Sequence, residues 1–520
     1  MNTRRRNMIC VVILAFGLVL AVQTFARQAR REAPPEQKDL VAAMRIEDLN
    51  ARIKELERIK AAFPNSSLMS NIDGMILTAR IGLCATVDAV ADLQRPVIAQ
   101  AQGFRKVALY YTSSMQIISH KSLKQFNKER VTEIVSGYAD AGRKAIADPE
   151  ILKSIPPQQQ NRVSTYIAEF YLVEAQAFLN EGSAAKALNA LETFKKGGGE
   201  MGSEFHYTFA AANALLGKNK EALAGYFEAA VENYQDAVDK AKEYYQKVNG
   251  KPDGFEAKLE AKWRELPYHP GTFQPTAEWK GKAVLAEIFT GSECPPCVGA
   301  DLGFDGLIEA YASKYLAILV YHLPIPRPDP IMNPATKKRQ DYYAVNSTPT
   351  TIIDGNKKVG GGSKAMAEGK FKEYRDEINA KINEAPQVVL KAAGARAGDI
   401  VKIDYSFDKV IPNAEYNIAL VQKEEKYRGS NGIVFHKLVV RDFATVDPAA
   451  AAKQVSFDLA ANEKATDLYL TEFEKTYDRI PNFRFAERHL KIDRTNLAFV
   501  FFAQDKETKK VLNAFAADIK

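Results

Sequence analysis

The spacing of apolar residues changes twice along the chain, and each change marks a predicted domain boundary. Between residues 35 and 265, apolar residues recur every three or four positions in segments rich in Ala, Leu, Glu and Lys, which predicts an α-helical region. Short apolar runs alternate with helical segments between 277 and 385. Over 386–520 apolar and polar residues often alternate one by one, as in Val401 to Asp408, which is typical of strands. The pattern therefore predicts a multidomain protein.

The helical region contains a repeat with an offset of about 35 residues. The aligned residues are Ala175, Gly182, Ala187 and Leu188 in one copy and Ala210, Gly217, Ala222 and Leu223 in the next. Small residues let paired helices approach closely, and a glycine can end a helix in the left-handed conformation. The period predicts tetratricopeptide (TPR)-like units, with a plain array of α-hairpins as the alternative. Such a region either binds a protein partner on a concave surface or serves as a spacer.

The first residues have the pattern of a signal peptide, predicted over residues 1–26. Three arginines, Arg4 to Arg6, precede an apolar run from Ile9 to Val22, and small residues follow at Thr24 and Ala26. This predicts an extracytoplasmic protein, either periplasmic or secreted. The run is short for a membrane span of about 20 residues. Extended to Ala26, it would instead form an uncleaved anchor, which is the one membrane contact that the sequence allows.

The net charge and the cysteine positions limit the kinds of function that are expected of this chain. The 520 residues are 46% hydrophobic and 26% charged, and the net charge of +7 is spread thinly, which gives no indication of nucleic-acid binding. Of the four cysteines, Cys10 lies in the predicted signal peptide and Cys84 in an apolar helical stretch that predicts a buried thiol. Only Cys294 and Cys297 form a pair. Two cysteines are too few for a four-cysteine metal cluster, so the pair is expected to have a local role at its own position in the fold.

The order of predicted elements defines the two C-terminal domains. From Ala283 to Asn383 the order is strand, cysteine loop, helix, strand, helix, strand, strand and helix, and Asp354-Gly355 marks a hairpin between the last two strands. Beyond Pro386 about seven short strands predict an all-β, immunoglobulin-like sandwich. That segment contains no evident catalytic cluster.

The Cys-x-x-Cys motif follows a strand and opens a helix. A thiol at a helix N-terminus faces unpaired N–H groups and the positive end of the helix dipole, so we expect Cys294 to form a thiolate easily. Cys297, one turn further on, would attack a mixed disulfide on Cys294 and release the partner as a thiol. Pro295 and Pro296 are tolerated there because the N–H groups of a first helical turn are unpaired in any case.

The segment from Ala283 to Asn383 resembles the thioredoxin-like thiol–disulfide oxidoreductases. The resemblance is carried by Cys-Pro-Pro-Cys, by Thr348-Pro349-Thr350 before a strand, and by the order β-α-β-α-β-β-α, which is that of a thioredoxin-like core. It implies Cys294 as nucleophile, Cys297 as resolving thiol and Pro349 as the cis-proline of a substrate groove. The other groove residues that it implies are Thr348, Pro295 and Pro296.

The resemblance also implies what the protein binds. The expected partners are a protein thiol or disulfide substrate and a redox recycling partner, with no cofactor. The chain departs from thioredoxin in having Glu293 where thioredoxin has tryptophan, and in having proline where thioredoxin has glycine after the first cysteine. A general reductase role is therefore not implied.

Two further residues complete the candidate site. Glu287 lies near the place of thioredoxin's buried carboxylate, so it is a candidate proton acceptor for Cys297, with pairing to a lysine as the alternative. His322, predicted at the end of the second strand, would form a Cys-Cys-His ligand set with Cys294 and Cys297 that suits copper. A copper-binding chaperone of the thioredoxin fold is thus one alternative function. A non-enzymatic interaction protein with a structural disulfide is the other.

Overall fold

Helices occupy the described part of the chain up to residue 264. The computed structural model describes residues 34, 36–155, 160, 162–232, 234–450, 453–480 and 482–520. The predicted signal peptide, with Cys10, lies outside them. The helices are α1 (Gln37–Ala43), α2 (Leu49–Ala62), α3 (Met69–Ile81), α4 (Val87–Gln100), α5 (Gly103–Ile118), α6 (Lys128–Ile146), α7 (Pro149–Ser154), α8 (Val163–Glu181), α9 (Ala184–Lys196), α10 (Ser203–Leu215), α11 (Asn219–Val231), α12 (Ala237–Asn249) and α13 (Phe255–Arg264). None of the described helices is both long and apolar enough to cross a bilayer.

The predicted repeat corresponds to two helical hairpins, α8 with α9 and α10 with α11. Gly182 and Gly217, the aligned glycines, both have a positive φ, so each follows the first helix of its pair in the left-handed conformation. The aligned alanines are fully buried where the helices meet. At Gly225 of α11 a Cβ would press against the His206 carbonyl oxygen of α10, so only glycine permits this approach. Both requirements of the predicted hairpins are met.

The chain divides into two compact units, Met1–Phe255 and Glu256–Lys520. The second unit contains the sheets. Its strands are β1 (Val284–Thr290), β2 (Leu316–His322), β3 (Thr350–Ile353), β4 (Asn356–Val359), β5 (Leu390–Ala397), β6 (Ile400–Phe407), β7 (Ala414–Lys426), β8 (Phe435–Val446), β9 (Gln454–Asp458), β10 (Leu497–Asp505) and β11 (Val511–Asp518). Its helices beyond α13 are α14 (Val298–Ala310), α15 (Pro334–Tyr342), α16 (Ala367–Ile382) and α17 (Leu459–Thr476). The element order predicted for 283–383 is confirmed.

Eight strands form one mixed sheet in the order β11-β10-β7-β8-β2-β1-β3-β4. Strand β1 runs parallel to β2 and antiparallel to β3, and Thr290 pairs with His322 at the end of the parallel pair. The C-terminal strands join this sheet where β8 runs parallel to β2, with Val320 opposite Val439. Strands β5, β6 and β9 form a separate antiparallel sheet.

Alternate side chains of β1 enter two different cores. Val284, Ala286 and Ile288 pack with residues of α14 and α16 on one face. Leu285 and Phe289 lie on the opposite face, in a core that α15 and the strands β7, β8 and β10 complete. Because successive side chains of a strand point to opposite faces, Glu287 belongs to the second face.

The C-terminal segment differs from the predicted free-standing, all-β sandwich. Its seven strands are present, but four of them extend the sheet of β1–β4, and only β5, β6 and β9 form the facing layer. The segment also contains α17, an 18-residue helix. The first eight residues of β10 are buried, because one face meets the smaller sheet and the other meets the core that contains α15. An apolar sequence pattern predicts that a strand is buried, but it does not show which strand pairs with it.

Candidate functional site

Cys294 and Cys297 form a disulfide in the turn between β1 and α14. The backbone N–H of Cys294 donates to the Gly291 carbonyl oxygen at 3.1 Å, and that of Cys297 donates to the Cys294 carbonyl oxygen at 2.9 Å. Both cysteines are buried, with 0% of each exposed, whereas Pro295 and Pro296 between them lie at the surface. The disulfide therefore lies just beneath two exposed prolines at the start of a helix.

Thr348 lies beside the disulfide. The peptide bond between Thr348 and Pro349 is cis, as the family resemblance implies, and the Thr348 Oγ1 atom is 3.4 Å from the Cys294 Sγ atom. The same hydroxyl donates to the carbonyl oxygen of Ile325 at 2.8 Å. Ile325 belongs to the proline-rich segment 323–330. The structure thus places the predicted groove residues and this segment around one sulfur atom.

A glycine run that the sequence analysis does not single out packs against the same turn. The Gly362 N–H donates to the Pro296 carbonyl oxygen, and the Gly299 N–H of α14 donates to the Gly362 carbonyl oxygen, both at 2.8 Å. A Cβ at Gly361 would overlap the Pro296 carbonyl oxygen and press against the Pro349 ring. The three consecutive glycines, 360–362, were the available signal, since they allow backbone to approach backbone this closely.

The C-terminal segment supplies another wall of the site, the loop 427–433. The Asn431 N–H donates to the Ser292 carbonyl oxygen at 3.2 Å, and the Tyr427 hydroxyl donates to a carboxylate oxygen of Glu293 at 2.9 Å. A Cβ at Gly429 would overlap the Ser292 carbonyl oxygen. These contacts join residues more than 130 positions apart, so no local motif could reveal them.

Glu287 is neutralised on the face of β1 that lies away from α14. Its carboxylate accepts from Arg339 Nε at 2.8 Å and Arg339 Nη2 at 3.0 Å, and from the hydroxyls of Tyr343 at 2.7 Å and Tyr321 at 3.0 Å. Cys297 immediately precedes α14, which packs on the opposite face. The structure therefore places Glu287 in a buried ion pair with an arginine, not a lysine, and does not bring it to the face on which Cys297 lies.

His322 is 1% exposed and hydrogen-bonded to a carboxylate below the cysteine turn. Its Nδ1 atom lies 2.9 Å from Asp329 Oδ2, which also accepts from the Ser292 N–H at 2.6 Å. Asp329 Oδ1 accepts from the Ile331 N–H at 2.8 Å. Burial alone would raise the pKa of Asp329, but His322 and the two N–H donors hold it below its usual value.

The alternative copper ligands are not assembled as a set. Cys294 and Cys297 are bonded to each other, and His322 Nδ1 is engaged by Asp329. Throughout the part of the chain that the structure describes, no group of three or more His, Cys, Asp or Glu side chains is arranged to hold a metal ion. The donor geometry thus gives no support to a Cys-Cys-His centre.

A cavity lies between α14 and the adjoining ends of β1, β2 and β8. Its polar lining is Thr290, Asp301, Asp305, His322, His436 and Lys437. Burial raises the pKa of Asp301 to about 8 and that of Asp305 to about 6, although Thr290 and Lys437 respectively oppose these shifts. Burial lowers the pKa of His436 to about 3. The Nε2 atom of His322 lies in this buried region without a hydrogen-bond partner. Asp301 and Asp305 were not predicted as site residues, although carboxylates four positions apart in an apolar helix were a signal.

No protein-family model, curated protein or solved structure significantly matches the chain.

The Arg339 pair yields a stability prediction. Replacing Arg339 by methionine leaves the Glu287 carboxylate buried without its cation, so we expect the free energy of unfolding to fall by about 3–5 kcal/mol. Replacing both residues by methionine should restore most of the loss. Urea denaturation of both variants measures this difference. A single variant as stable as the double variant would contradict a charge effect.

Asp301 yields a pH-dependence prediction. In the unfolded chain this carboxyl ionises near pH 4, whereas in the folded protein it stays protonated until about pH 8. Its contribution to the free energy of unfolding is therefore present at low pH and falls by up to about 1.4 kcal/mol per pH unit as the pH rises toward 8. Asp301→Asn should remove this loss. The measurement is urea denaturation of both proteins between about pH 6.5 and pH 9, and a stability difference that does not change with pH would refute it.

Proposed function

We propose that this protein is a thiol–disulfide oxidoreductase whose redox centre is the pair Cys294 and Cys297 in a thioredoxin-like segment, 283–383. The observation that carries the proposal is a disulfide at the start of α14 with the Thr348 hydroxyl 3.4 Å from the Cys294 sulfur. A structural disulfide across three residues would contribute little stability, since so short a loop removes little entropy from the unfolded chain. Disulfide exchange would explain why a disulfide is present in so small a loop.

The helix that follows favours Cys294 as the attacking thiol. Helix α14 has 13 residues, and the positive end of its dipole lowers the free energy of a nearby thiolate. The Cys294 thiolate attacks a substrate disulfide, forming a mixed disulfide and releasing one substrate thiolate. The Cys297 thiolate then attacks the Cys294 sulfur, and the second substrate thiolate leaves. Two electrons pass to the substrate, and the Cys294–Cys297 disulfide forms.

The surroundings of the pair favour a protein as substrate. Pro295, Pro296 and Thr348 present apolar surface and a hydroxyl around a sulfur that is itself covered. A client polypeptide lying along this groove has backbone groups that such a rim can contact. A second protein would recycle the pair after each exchange. We place the protein outside the cytoplasm on the strength of the predicted signal peptide, and we assign the TPR-like hairpins to binding a protein partner.

One observation favours a second function, a non-enzymatic interaction protein. The sulfur of Cys294 is buried, so a partner reaches it only after some of the residues around it move. A disulfide that is permanently covered would be structural. The two functions differ in whether native protein exchanges its disulfide.

Replacement of each cysteine tests the roles of the pair. In a Cys84→Ala background, which removes the other described thiol, Cys294→Ser should lower exchange with a fluorescent disulfide-bonded peptide to the uncatalysed rate. Cys297→Ser should retain the first attack and accumulate a mixed disulfide, visible by mass spectrometry. Wild-type protein whose disulfide resists excess dithiothreitol until it unfolds would instead establish the structural role.

The loop 427–433 should limit access to the disulfide. Asn431→Ala removes a side-chain donor to the Gly291 carbonyl oxygen, at 3.3 Å, and an acceptor for the Ile433 N–H, at 3.0 Å. Each bond is worth about 1 kcal/mol, so the open form should become roughly 5–30-fold more populated. We expect dithiothreitol to reduce the native disulfide faster by a similar factor. The exposed Asn346→Ala is the control, and equal rates in the two variants would show that this loop does not gate the site.

A further inference from the structure

Reduction of the disulfide creates a proton requirement at Cys297. This residue is 0% exposed and immediately precedes α14. A thiolate formed there is removed from water, and burial without a charge partner raises the pKa of a thiol. The leaving thiolate therefore needs a proton from a group that is also inside the protein. In the opposite direction the same group must accept the proton before Cys297 can attack.

The position of one carboxyl on α14 meets this requirement. Asp301 follows Cys297 by four residues, and Cys297 already has the helical backbone conformation, with φ −82° and ψ −22°. Residues four apart on a helix lie on the same face, with Cβ atoms about 5–6 Å apart. Asp301 also lines the cavity beneath the helix, next to Thr290 at the end of β1. We propose that Asp301 donates a proton to Cys297 when the disulfide opens and accepts it when the disulfide forms.

The cavity offers a second group for passing the proton onward. His322 Nε2 lies in this buried region without a hydrogen-bond partner, while Nδ1 is held by Asp329. A ring nitrogen without a hydrogen-bond partner is available to exchange a proton with a neighbouring group. His436 is oriented differently, since its Nε2 donates to the Tyr427 carbonyl oxygen at 3.0 Å. His322 thus lines the same cavity as Asp301 and is bonded through Nδ1 to the Asp329 carboxylate below the cysteine turn.

Charges around Asp301 keep its carboxyl available. The carboxylates of Asp305 and Asp329 raise its pKa in addition to burial, and Thr290 lowers it. Lys437, on β8, is directed to Asp305 at 3.6 Å and Glu309 at 3.9 Å rather than to Asp301. With a pKa of about 8, Asp301 carries its proton at neutral pH while the disulfide is intact. It can then act as a proton donor at neutral pH.

The exchange that Asp301 assists is balanced in both directions. A substrate thiolate attacks the Cys294 sulfur, the bond between Cys294 and Cys297 breaks, and Cys297 leaves with the electron pair and takes the Asp301 proton. The substrate is then held as a mixed disulfide on Cys294. In the reverse step Asp301 takes the proton, Cys297 attacks Cys294, and the substrate departs as a thiolate. This proposal rests on the proposed function, since it requires that the pair exchange.

The test compares Asp301→Asn with Asp305→Asn in the full chain carrying Cys84→Ala. Rates of reduction by dithiothreitol are measured between about pH 6 and pH 9.5 and divided by the thiolate fraction of the reductant. For wild type we expect this rate to fall above about pH 8, as Asp301 loses its proton. Asp301→Asn should be at least about tenfold slower at pH 7 and should lack the inflection. Asp305→Asn should stay within about twofold and move the inflection slightly downward, since one like charge is removed.

Two results would overturn the proposal in different ways. If Asp301→Asn keeps the wild-type rate and inflection while wild type exchanges normally, Asp301 has no part in proton transfer and the oxidoreductase function stands. If the wild-type disulfide does not exchange in the native state, both proposals fall. Carboxyl carbon NMR of folded wild-type protein provides a second measurement that no variant can disturb. Titration of Asp301 near pH 4 in the oxidised protein would also reject the proposal.

Discussion

The carboxylate of Asp329 is the interaction on which the site depends. It accepts hydrogen bonds from the Ser292 and Ile331 N–H groups and pairs with His322. Through these bonds it joins the cysteine turn, the proline-rich segment and the end of β2. A buried carboxylate is costly unless several donors satisfy it, so the three segments can hold this arrangement only together. The position of Cys294 relative to Thr348 follows from the same constraint, because Ile325 of the proline-rich segment accepts the Thr348 hydroxyl.

The cysteine turn also depends on the C-terminal segment. Strand β8 extends the sheet beside β2, and the loop 427–433 that precedes it reaches the turn through Asn431 and Tyr427. The interior is close-packed, so a wall built from a distant part of the chain limits the shape of any molecule that can approach the sulfur. For the proposed disulfide exchange, substrate choice is therefore expected to lie in the C-terminal segment as much as in the segment that carries the cysteines.

Local patterns in the sequence predicted the parts of this fold that local interactions determine. The left-handed glycines Gly182 and Gly217 and the element order between 283 and 383 are present, as is the cis bond before Pro349 that the family resemblance implied. The pairing of β8 with β2 could not be predicted, since an apolar strand pattern reports burial and not its neighbour. The ion pair between Arg339 and Glu287 could not be predicted either, because the two residues are 52 positions apart in the sequence. Asp301 could have been identified as a candidate site residue, because a carboxylate on an apolar helix face is costly unless it has a partner or a functional role.

The two faces of β1 show how one fold treats two carboxyl groups differently, the fully buried Glu287 and the half-buried Asp301. On one face Arg339 and two tyrosine hydroxyls satisfy Glu287, so its charge is fixed and serves packing. On the other face Asp301 has Thr290 and two like-charged neighbours, and the nearby Lys437 pairs with Asp305. A carboxyl that is denied a cation keeps its proton to a higher pH, and only such a group can both give and take a proton near neutrality. Among the residues that the structure describes, Glu287 is paired with an arginine and Asp301 is in no ion pair, which is why proton transfer is proposed for Asp301 alone.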